Sequence, residues 1–462
     1  MRIRTVIKRT FLIIILAVLV YAISWIWRAA PIITGYGAKN LCSCVMVAGR
    51  DPEDVLKYEL GRSPIRFGNF TVDMNDSSAT GSLFGLAKRK AIYRKGLGCS
   101  LMINTEEENV DHAPVTVVAP PVFDADTIPW PAGNQIRDSL FTGVDLKRLN
   151  LAIDSAFFEP GKEKLRRTRA VIVVYQGNII AERYAPPFTA DSKLVGWSMT
   201  KSITNALVGI LVGEGKLRID DPAPVPQWNA DERKNITLNH LMHASTGLAW
   251  EENYSGPSAV TNMLFKEKDM GRFAASCPLE HPPGETFYYS SGTTNIISRI
   301  IRESVGDPEY YRLPYEKLFY PIGMYNTVIE ADAGGTFVGS SYSFGTARDW
   351  ARFGLLYLND GVWNGKRILP AGWVRYTVTP APAAKRGEYG AQFWLNSGEK
   401  GNSSNRMYPA VPSDMFWADG FEGQNVFIIP SKKLVVVKLG LSHGDYVDDN
   451  MFLAALIAAL PE

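Results

Sequence analysis

The sequence has few of the residues from which metal and redox centres are usually built. It contains four cysteines and five histidines among 462 residues. The cysteines do not have zinc-finger spacing, no His-Glu-x-x-His motif occurs, and the histidines are scattered along the chain. We therefore expect no bound metal and no cofactor.

The chain also lacks an excess of charge of either sign. Its formal net charge is +2, which gives no reason to expect a nucleic-acid partner. The hydrophobic content of 46% and charged content of 21% are ordinary for a globular protein. A chain of this length buries a large core and has room for more than one unit.

One long apolar run stands at the N-terminus. Arg2, Arg4, Lys8 and Arg9 precede an uncharged, mostly apolar stretch at residues 11–27. This stretch is about long enough to cross a bilayer as a helix, and the preceding cations favour an inside N-terminus. We expect a membrane anchor with the remaining chain exported to the periplasm or beyond the cell. A cleaved signal peptide followed by secretion is the alternative.

Three segments follow from this organisation. Residues 1–30 form the anchor or signal, residues 31–130 an N-terminal extension, and residues 131–462 the main domain. The extension holds Cys42, Cys44 and Cys99 and ends in a proline-rich stretch at 114–131. Export permits disulfides, so Cys99 is expected to pair with Cys42 or Cys44, and the sequence does not choose between them.

The run Ser198-Met199-Thr200-Lys201 carries the clearest chemistry. It opens a strongly helical stretch at 198–217, where residues three apart lie on one face, so Ser198 and Lys201 are expected to be neighbours. The stretch is apolar on most sides, which is typical of a buried helix. Burial would lower the lysine pKa and let it take the serine proton. A second copy, Ser397 to Lys400, lies in a glycine-rich stretch that is typical of a loop.

The surrounding pattern predicts both strands and helices. Strands are expected at 169–175 and 178–184, joined at Gly177-Asn178, and again at 424–441. Helices are expected at 144–158 and 450–460. Strands near both ends, with helices between them, indicate one sheet assembled from both ends of the main domain. Ser198 lies in Gly-Trp-Ser-Met-Thr rather than Gly-x-Ser-x-Gly, which disfavours an α/β-hydrolase fold.

Five motifs in order resemble the serine β-lactamase and penicillin-binding-protein superfamily. They are SMTK at 198, ITLNHLMHASTGL at 236, GETFYYSS at 284, TARDWARFG at 346 and GFEGQ at 420. The resemblance covers residues 140–460 and is closest to the class C-like branch with 6-aminohexanoate-dimer hydrolases and esterases. It implies an α+β fold, with an antiparallel sheet flanked by helices, an all-helical lobe, and the active site between them.

The resemblance also implies roles for particular residues. Ser198 would be the nucleophile, and Lys201 and Tyr289 would share the general-base role, with Tyr288 as the adjacent rival for the tyrosine. The backbone N–H groups of Ser198 and Phe421 would form the oxyanion hole. Further candidates to contact the substrate are Ser291, Asp419, Gly420, Gln424 and Trp250, with Glu251 and Tyr254 beside the last. His240 and His243 are expected to be structural.

Two departures from the family pattern bear on the substrate. The tyrosine motif ends in Ser291 where class C enzymes have asparagine, which resembles the aminohexanoate-oligomer hydrolases. The family's Lys-Thr-Gly or His-x-Gly triad aligns with Ala418-Asp419-Gly420. Alanine offers no cation for a β-lactam carboxylate, which argues against an efficient β-lactamase or DD-peptidase.

These observations favour a serine hydrolase that acts on a small amide or ester. A peptidoglycan DD-peptidase or weak β-lactamase is the enzymatic alternative. A non-catalytic sensor or binding protein on the same scaffold is the alternative from another class. Fold resemblance does not name the substrate.

Overall fold

A computed structural model describes residues 2–103, 118–136, 143–161, 165–443 and 446–461. The proline-rich stretch predicted at 114–131 therefore lies partly outside the described residues, at 114–117. Of residues 2–6 and 22, the structure describes the backbone alone.

The chain begins with one long helix, α1 (Arg2–Cys42), whose two halves have different surroundings. The side chains at 7–21 and 23–27 are exposed, whereas most of those from Ala29 onward are buried. By length and composition alone this helix is apolar enough to cross a membrane, a test that a signal sequence near the N-terminus also passes. The boundary predicted at residues 30 and 31 falls inside this continuous helix.

The buried half of α1 packs against a four-stranded antiparallel sheet of the extension. A short helix, α2 (Pro52–Tyr58), precedes this sheet. Its strands, in spatial and chain order, are β1 (Gly68–Asp73), β2 (Ser78–Leu83), β3 (Leu86–Arg94) and β4 (Gly98–Leu101). A disulfide joins Cys42 at the end of α1 to Cys99 in β4, and Cys44 is a buried free thiol.

A buried ion pair ties this extension to the main domain. Lys39 on α1 lies 2.5 Å from Glu330, and both side chains are almost fully buried. The Glu330 carboxylate also accepts hydrogen bonds from the Ser43 hydroxyl and the Cys99 N–H. Full hydrogen bonding of this kind offsets the cost of removing two charges from water. The extension therefore shares one core with the main domain.

The main domain alternates helices and strands. Its helices are α3 (Leu146–Phe157), α4 (Thr200–Gly213), α5 (Leu238–Met242), α6 (Ala259–Lys266), α7 (Met270–Ser276), α8 (Ser291–Val305), α9 (Asp307–Leu313), α10 (Ala347–Leu358), α11 (Trp373–Thr377) and α12 (Asp449–Ile457). Its strands are β5 (Thr168–Tyr175), β6 (Asn178–Tyr184), β7 (Leu194–Val195), β8 (Val328–Ile329), β9 (Ser343–Gly345), β10 (Val362–Trp363), β11 (Lys366–Arg367), β12 (Trp394–Leu395), β13 (Phe416–Gly420), β14 (Gln424–Ile429) and β15 (Leu434–Gly440).

The largest sheet has six antiparallel strands in the order β12-β13-β14-β15-β5-β6. Two of its interior strands, β15 and β5, are rich in valine and buried along almost their whole length. Strands that are buried on both faces have apolar residues at almost every position of their sequence. The predicted α+β fold, with an antiparallel sheet assembled from both ends of the main domain, is confirmed.

The hairpin that leads into the site turns one residue earlier than predicted. Tyr175 pairs with Asn178, so the two turn residues are Gln176 and Gly177. Their φ angles are 49° and 83°, and two positive values are typical of the tight turn that matches strand twist.

Helices cover both faces of the six-stranded sheet. Helices α3 and α12 pack against each other over one face, where they enclose a separate apolar cluster. Helix α10 lies on the other face, and Gly354 allows a close approach, because a Cβ there would lie 2.5 Å from Val435. The lobe built from α4 to α9 lies beyond α10, and its helices α4 and α8 supply two sides of the site.

Candidate active site

Ser198 occupies a 3₁₀ turn, Trp197–Met199, at the entrance of α4. Trp197 has a φ of 46°, in the left-handed region that a bulky residue rarely adopts. The turn is held from outside, because the Gly196 N–H donates to the Ser343 carbonyl at 2.7 Å. Strain of this kind persists where the neighbours fix the backbone. As a result, the Ser198 side chain stays accessible while both flanking residues are buried.

Lys201 points its ammonium group at the nucleophile. It is 2% exposed. Its Nζ donates to Ser198 Oγ at 3.0 Å, to Ser291 Oγ at 3.1 Å and to the Ser340 carbonyl at 2.9 Å. Burial lowers the pKa of Lys201 to about 8, although nearby carboxylates oppose the shift. A large neutral fraction is therefore available near pH 8 to accept the Ser198 proton.

The two adjacent tyrosines face different ways, as expected of neighbours in extended backbone. Tyr289 is the side-chain hydrogen-bond partner of Ser198, and its ring centre lies 4.8 Å from Lys201 Nζ. Burial is the main reason that the pKa of Tyr289 stands well above its ordinary value. Tyr288 is half-exposed, and its hydroxyl meets the Glu252 N–H at 3.5 Å. The structure thus places Tyr289 at the nucleophile as a neutral phenol, able to donate a proton.

Glu252 is the residue that the sequence reasoning missed. Its carboxylate accepts hydrogen bonds from both the N–H and the hydroxyl of Ser291. It also accepts from Trp250 Nε1 at 2.6 Å and from the Tyr254 hydroxyl at 2.9 Å. Ser291 therefore links this carboxylate to Lys201, and Glu252 acts to raise the lysine pKa.

The spacing of the residues around Glu252 contained a sequence signal for its role. Trp250, Glu252 and Tyr254 are two residues apart, and in extended backbone such residues share a face. The flanking Glu251 and Asn253 are exposed and contact each other instead. Glu251, which was expected to line the cleft beside Trp250, lies on the opposite face of this segment from Glu252.

The end of β13 lies directly against the turn of the nucleophile. A Cβ on Gly420 would lie 2.3 Å from the Gly196 carbonyl oxygen, so only glycine permits this approach. Phe421 follows Gly420, and its ring centre lies 6.0 Å from that of Trp197, the residue before Ser198. The N–H groups of Phe421 and Ser198 are the two that were predicted to form the oxyanion hole.

The other predicted substrate contacts have different surroundings. Asp419 accepts a hydrogen bond from Asn425 at 2.8 Å, and burial, followed by the charge of Asp449, raises its pKa to about 6. Gln424 differs from the prediction. It is buried, and its amide nitrogen donates to the carbonyls of Phe421 and Gly440, at 3.1 and 2.7 Å. Gln424 therefore supports the turn after β13 rather than facing a substrate.

Residues of the extension reach the same turn. Arg62 forms an ion pair of 2.9 Å with Glu422, a carboxylate that is only 2% exposed. The Arg62 guanidinium also lies over the Phe421 ring, 5.1 Å from its centre. Tyr36 on α1 stacks on Trp197 with ring centres 6.3 Å apart. The extension thus contacts both the turn that holds Ser198 and the turn that follows β13.

His240 and His243 do not take part in this network. The His240 ring nitrogen Nδ1 accepts from the Thr237 N–H and caps α5. His243 is buried against Tyr376, and burial lowers its pKa to about 4. Ser397, which begins the second Ser-x-x-Lys copy, donates to the Gly387 carbonyl in a loop. Among the described residues, no cluster of three or more His, Cys, Asp or Glu side chains is placed to hold a metal ion.

Comparison with known proteins agrees with this geometry. The family model described as Beta-lactamase matches residues 153–459. A 6-aminohexanoate-dimer hydrolase from Paenarthrobacter ureafaciens is 24% identical over 306 residues, which cover 59% of this chain and 72% of that protein.

Two solved structures share the fold. A Bacillus anthracis protein provisionally assigned as a 6-aminohexanoate-dimer hydrolase superposes with a TM-score of 0.56 at 22% identity, covering 71% of this chain and 89% of its own. A family VIII carboxylesterase superposes with a TM-score of 0.51 at 17% identity, covering 69% and 98%. At these identities the likeness establishes the fold, not a shared substrate.

Proposed function

Because this chain belongs to the beta-lactamase family, we propose that it hydrolyses a small amide or ester through an acyl-enzyme on Ser198. One observation supports this proposal above the others. The Lys201 ammonium lies 3.0 Å from Ser198 Oγ and contacts only neutral oxygen atoms, with its pKa lowered to about 8. A lysine that loses its proton near neutral pH is a competent base for a serine.

The proposed first half-reaction transfers the acyl group to Ser198. Neutral Lys201 takes the hydroxyl proton as Ser198 Oγ attacks the carbonyl carbon. The N–H groups of Ser198 and Phe421 stabilise the oxyanion that forms. Tyr289 then donates its proton to the leaving nitrogen or oxygen as the bond to the acyl carbon breaks. The Lys201 ammonium returns a proton to Tyr289, so the nucleophile's proton leaves with the amine or alcohol.

The second half-reaction regenerates the serine. A water molecule attacks the acyl carbon and gives its proton to the Lys201 and Tyr289 pair. Collapse of the tetrahedral intermediate breaks the bond to Ser198 Oγ, which takes that proton back. The products are a carboxylic acid and the free enzyme.

The substrate class follows from the cleft walls. Ala418 is buried and supplies no cation at the position where the family pattern has one. The carboxylates of Glu252 and Asp419 lie close enough to Lys201 to affect its pKa. A cleft with this charge favours neutral acyl groups over anionic ones, which supports a small amide or ester rather than a β-lactam.

The decisive experiment measures acylation directly. The full chain in detergent is treated with a fluorophosphonate probe and analysed by intact mass, with Ser198→Ala as the control. We expect one adduct that is lost in the variant. If a folded wild-type chain takes no adduct, the acyl-enzyme proposal is rejected and a non-catalytic binding protein becomes the better interpretation.

We also propose that residues 11–27 anchor the protein in a membrane with the hydrolase exported. The exposed apolar half of α1 and the basic residues before it support this orientation. Extraction of membranes with alkaline carbonate tests the anchor. A chain found entirely in the soluble fraction, shortened by about the mass of this segment, would instead indicate a cleaved signal peptide.

A further inference from the structure

Exposed apolar side chains gather at one end of the extension sheet. Gly68 pairs with Leu83, and Leu83 pairs with Leu86 across the β2–β3 turn. Phe67, Phe84 and Leu86 therefore lie at the same end. All three are exposed, and Phe84 is 82% exposed at the tip of the turn.

This end of the sheet faces the apolar half of α1. The disulfide sets Cys99 of β4 beside residue 42 of the helix. Nearer the helix start, the Thr34 hydroxyl donates to the Ala87 carbonyl at 2.7 Å. The β2–β3 turn lies just past Ala87 in space, at the end of the sheet nearer to residue 28 of the helix. The apolar tip and the exposed apolar run thus share one end of the molecule.

Positive side chains surround the same place. Lys266 Nζ donates to the Arg28 carbonyl at 2.7 Å. Burial lowers the pKa of Lys266, and the like charges of Arg28 and Arg89 lower it further, which places three cations together. Lys88 is exposed next to them. Glu267 is the acidic neighbour that acts on Lys266, so the cluster keeps a positive excess.

We propose that these residues form a basal face that seats on the anionic lipid surface of the bilayer that α1 enters. The basal face consists of Phe67, Phe84 and Leu86 with Arg28, Lys88, Arg89 and Lys266. Aromatic and aliphatic side chains favour the headgroup boundary, and nearby lysine and arginine are attracted to anionic lipids. This inference rests on the proposed anchor and extends it from one helix to a docked orientation.

A segment of the active site also lies near the end of the exposed apolar run of α1. A Cβ on Gly256 would lie 3.6 Å from the Trp25 ring, which is ordinary van der Waals contact. Gly256 belongs to the segment that carries Glu252 and Tyr254 into the catalytic network. Docking would therefore hold the wall of the cleft at the membrane surface, within reach of an ester or amide in an amphiphile.

Site-directed spin labelling of the full chain in lipid nanodiscs tests the basal face. In a Cys277→Ser background, a nitroxide is attached at Phe84→Cys and, as a matched control, at Leu151→Cys. Leu151 is 58% exposed on α3, which covers one face of the six-stranded sheet. In discs with anionic phospholipid, we expect the label at 84 to collide more with oxygen than with a water-soluble nickel chelate. The label at 151 should give the reverse.

Charge is tested by two further measurements. Discs of neutral phosphatidylcholine, or the Lys88→Gln/Arg89→Gln variant in anionic discs, should raise nickel access at position 84 severalfold. Equal nickel access at 84 and 151 in anionic discs would overturn the docked orientation, as would burial of position 84 by a second protein copy in detergent.

The two proposals fail separately. Retained fluorophosphonate labelling with a water-exposed position 84 rejects only the basal face. Lost labelling with a lipid-embedded position 84 rejects only the hydrolase chemistry.

Discussion

At the scale of single residues, the protonation of Lys201 governs the chemistry that we propose. The group must be neutral to accept the Ser198 proton, and burial sets its pKa to about 8. The rate of fluorophosphonate labelling should therefore rise with pH through a midpoint near 8 and level off above it. Labelling time courses that are quenched at fixed intervals, at each pH from about 6 to about 10, measure this rate. A flat profile would contradict the role of Lys201, and Lys201→Ala should abolish the rise.

The proton that Tyr289 donates matters most when the leaving group is a poor one. An amine must be protonated as it leaves, whereas an activated phenol need not be. Tyr289→Phe should therefore lower kcat for an amide by about 10²-fold or more and affect a p-nitrophenyl ester far less. Tyr288→Phe serves as the control and should change neither. Equal losses for both substrates would remove the donor role.

Glu252 acts on the base through its charge. Its carboxylate raises the pKa of Lys201 against the effect of burial, so removing the charge should lower that pKa further. Glu252→Gln should shift the midpoint of the labelling profile to lower pH. Glu251→Gln, one residue away and exposed, should leave the midpoint in place. A shift to higher pH in Glu252→Gln would disprove this coupling.

At the scale of elements, the turn after β13 depends on the extension. Arg62 neutralises the buried Glu422 next to Phe421, whose N–H is assigned to the oxyanion hole. Arg62→Gln would leave that charge unpaired and loosen the turn. We expect kcat to fall roughly tenfold with little change in KM, because the oxyanion forms only in the transition state.

Arg62→Lys should restore part of this loss, since it restores the charge. Arg66→Gln is the matched control, because Arg66 stacks on Phe67 away from the site. A rise in KM with kcat unchanged would mean that Arg62 affects substrate binding rather than the position of the turn.

Elements with local causes were predicted well from the sequence. The hairpin of β5 and β6 follows from two strand-like runs joined at a glycine turn, and the Ser198–Lys201 contact follows from spacing within one helical turn. The continuity of α1 past residue 30 was not foreseen, and Pro31 lies inside the helix. A proline removes one backbone hydrogen bond, and tertiary packing here compensates for it.

Contacts between distant positions were beyond sequence reasoning. Glu252 meets Ser291 across 39 residues, and Lys39 meets Glu330 across 291. No local pattern encodes such pairs, because they depend on how the helical lobe and the extension pack on the sheet. Gln424 was expected to contact the substrate for the same reason. The Gly440 carbonyl that accepts the hydrogen bond of its amide lies 16 residues away in sequence.

At the scale of the whole molecule, the disulfide holds the extension and α1 together. Cys42 and Cys99 are 57 residues apart in sequence, and closing such a loop restricts the unfolded chain. Cys42→Ser/Cys99→Ser should therefore lower the free energy of unfolding by about 4 kcal/mol. Denaturant titration of the full chain in detergent measures the change. Cys277→Ser is the control, and a double variant as stable as this control would rule out a stabilising role.

The unbroken course of α1 has a consequence for how the enzyme meets its substrate. From residue 27 to Cys42 the helix rises about 22 Å without a linker. The main domain is therefore joined to the apolar run by a rigid helix rather than by a flexible linker. A domain held by a rigid helix cannot move freely through the volume around its point of attachment. With the proposed anchor in a bilayer, the domain would reach substrates only within one plane, at one height and in one orientation. Distance from the membrane would then be a criterion of substrate selection alongside the chemistry of the scissile bond.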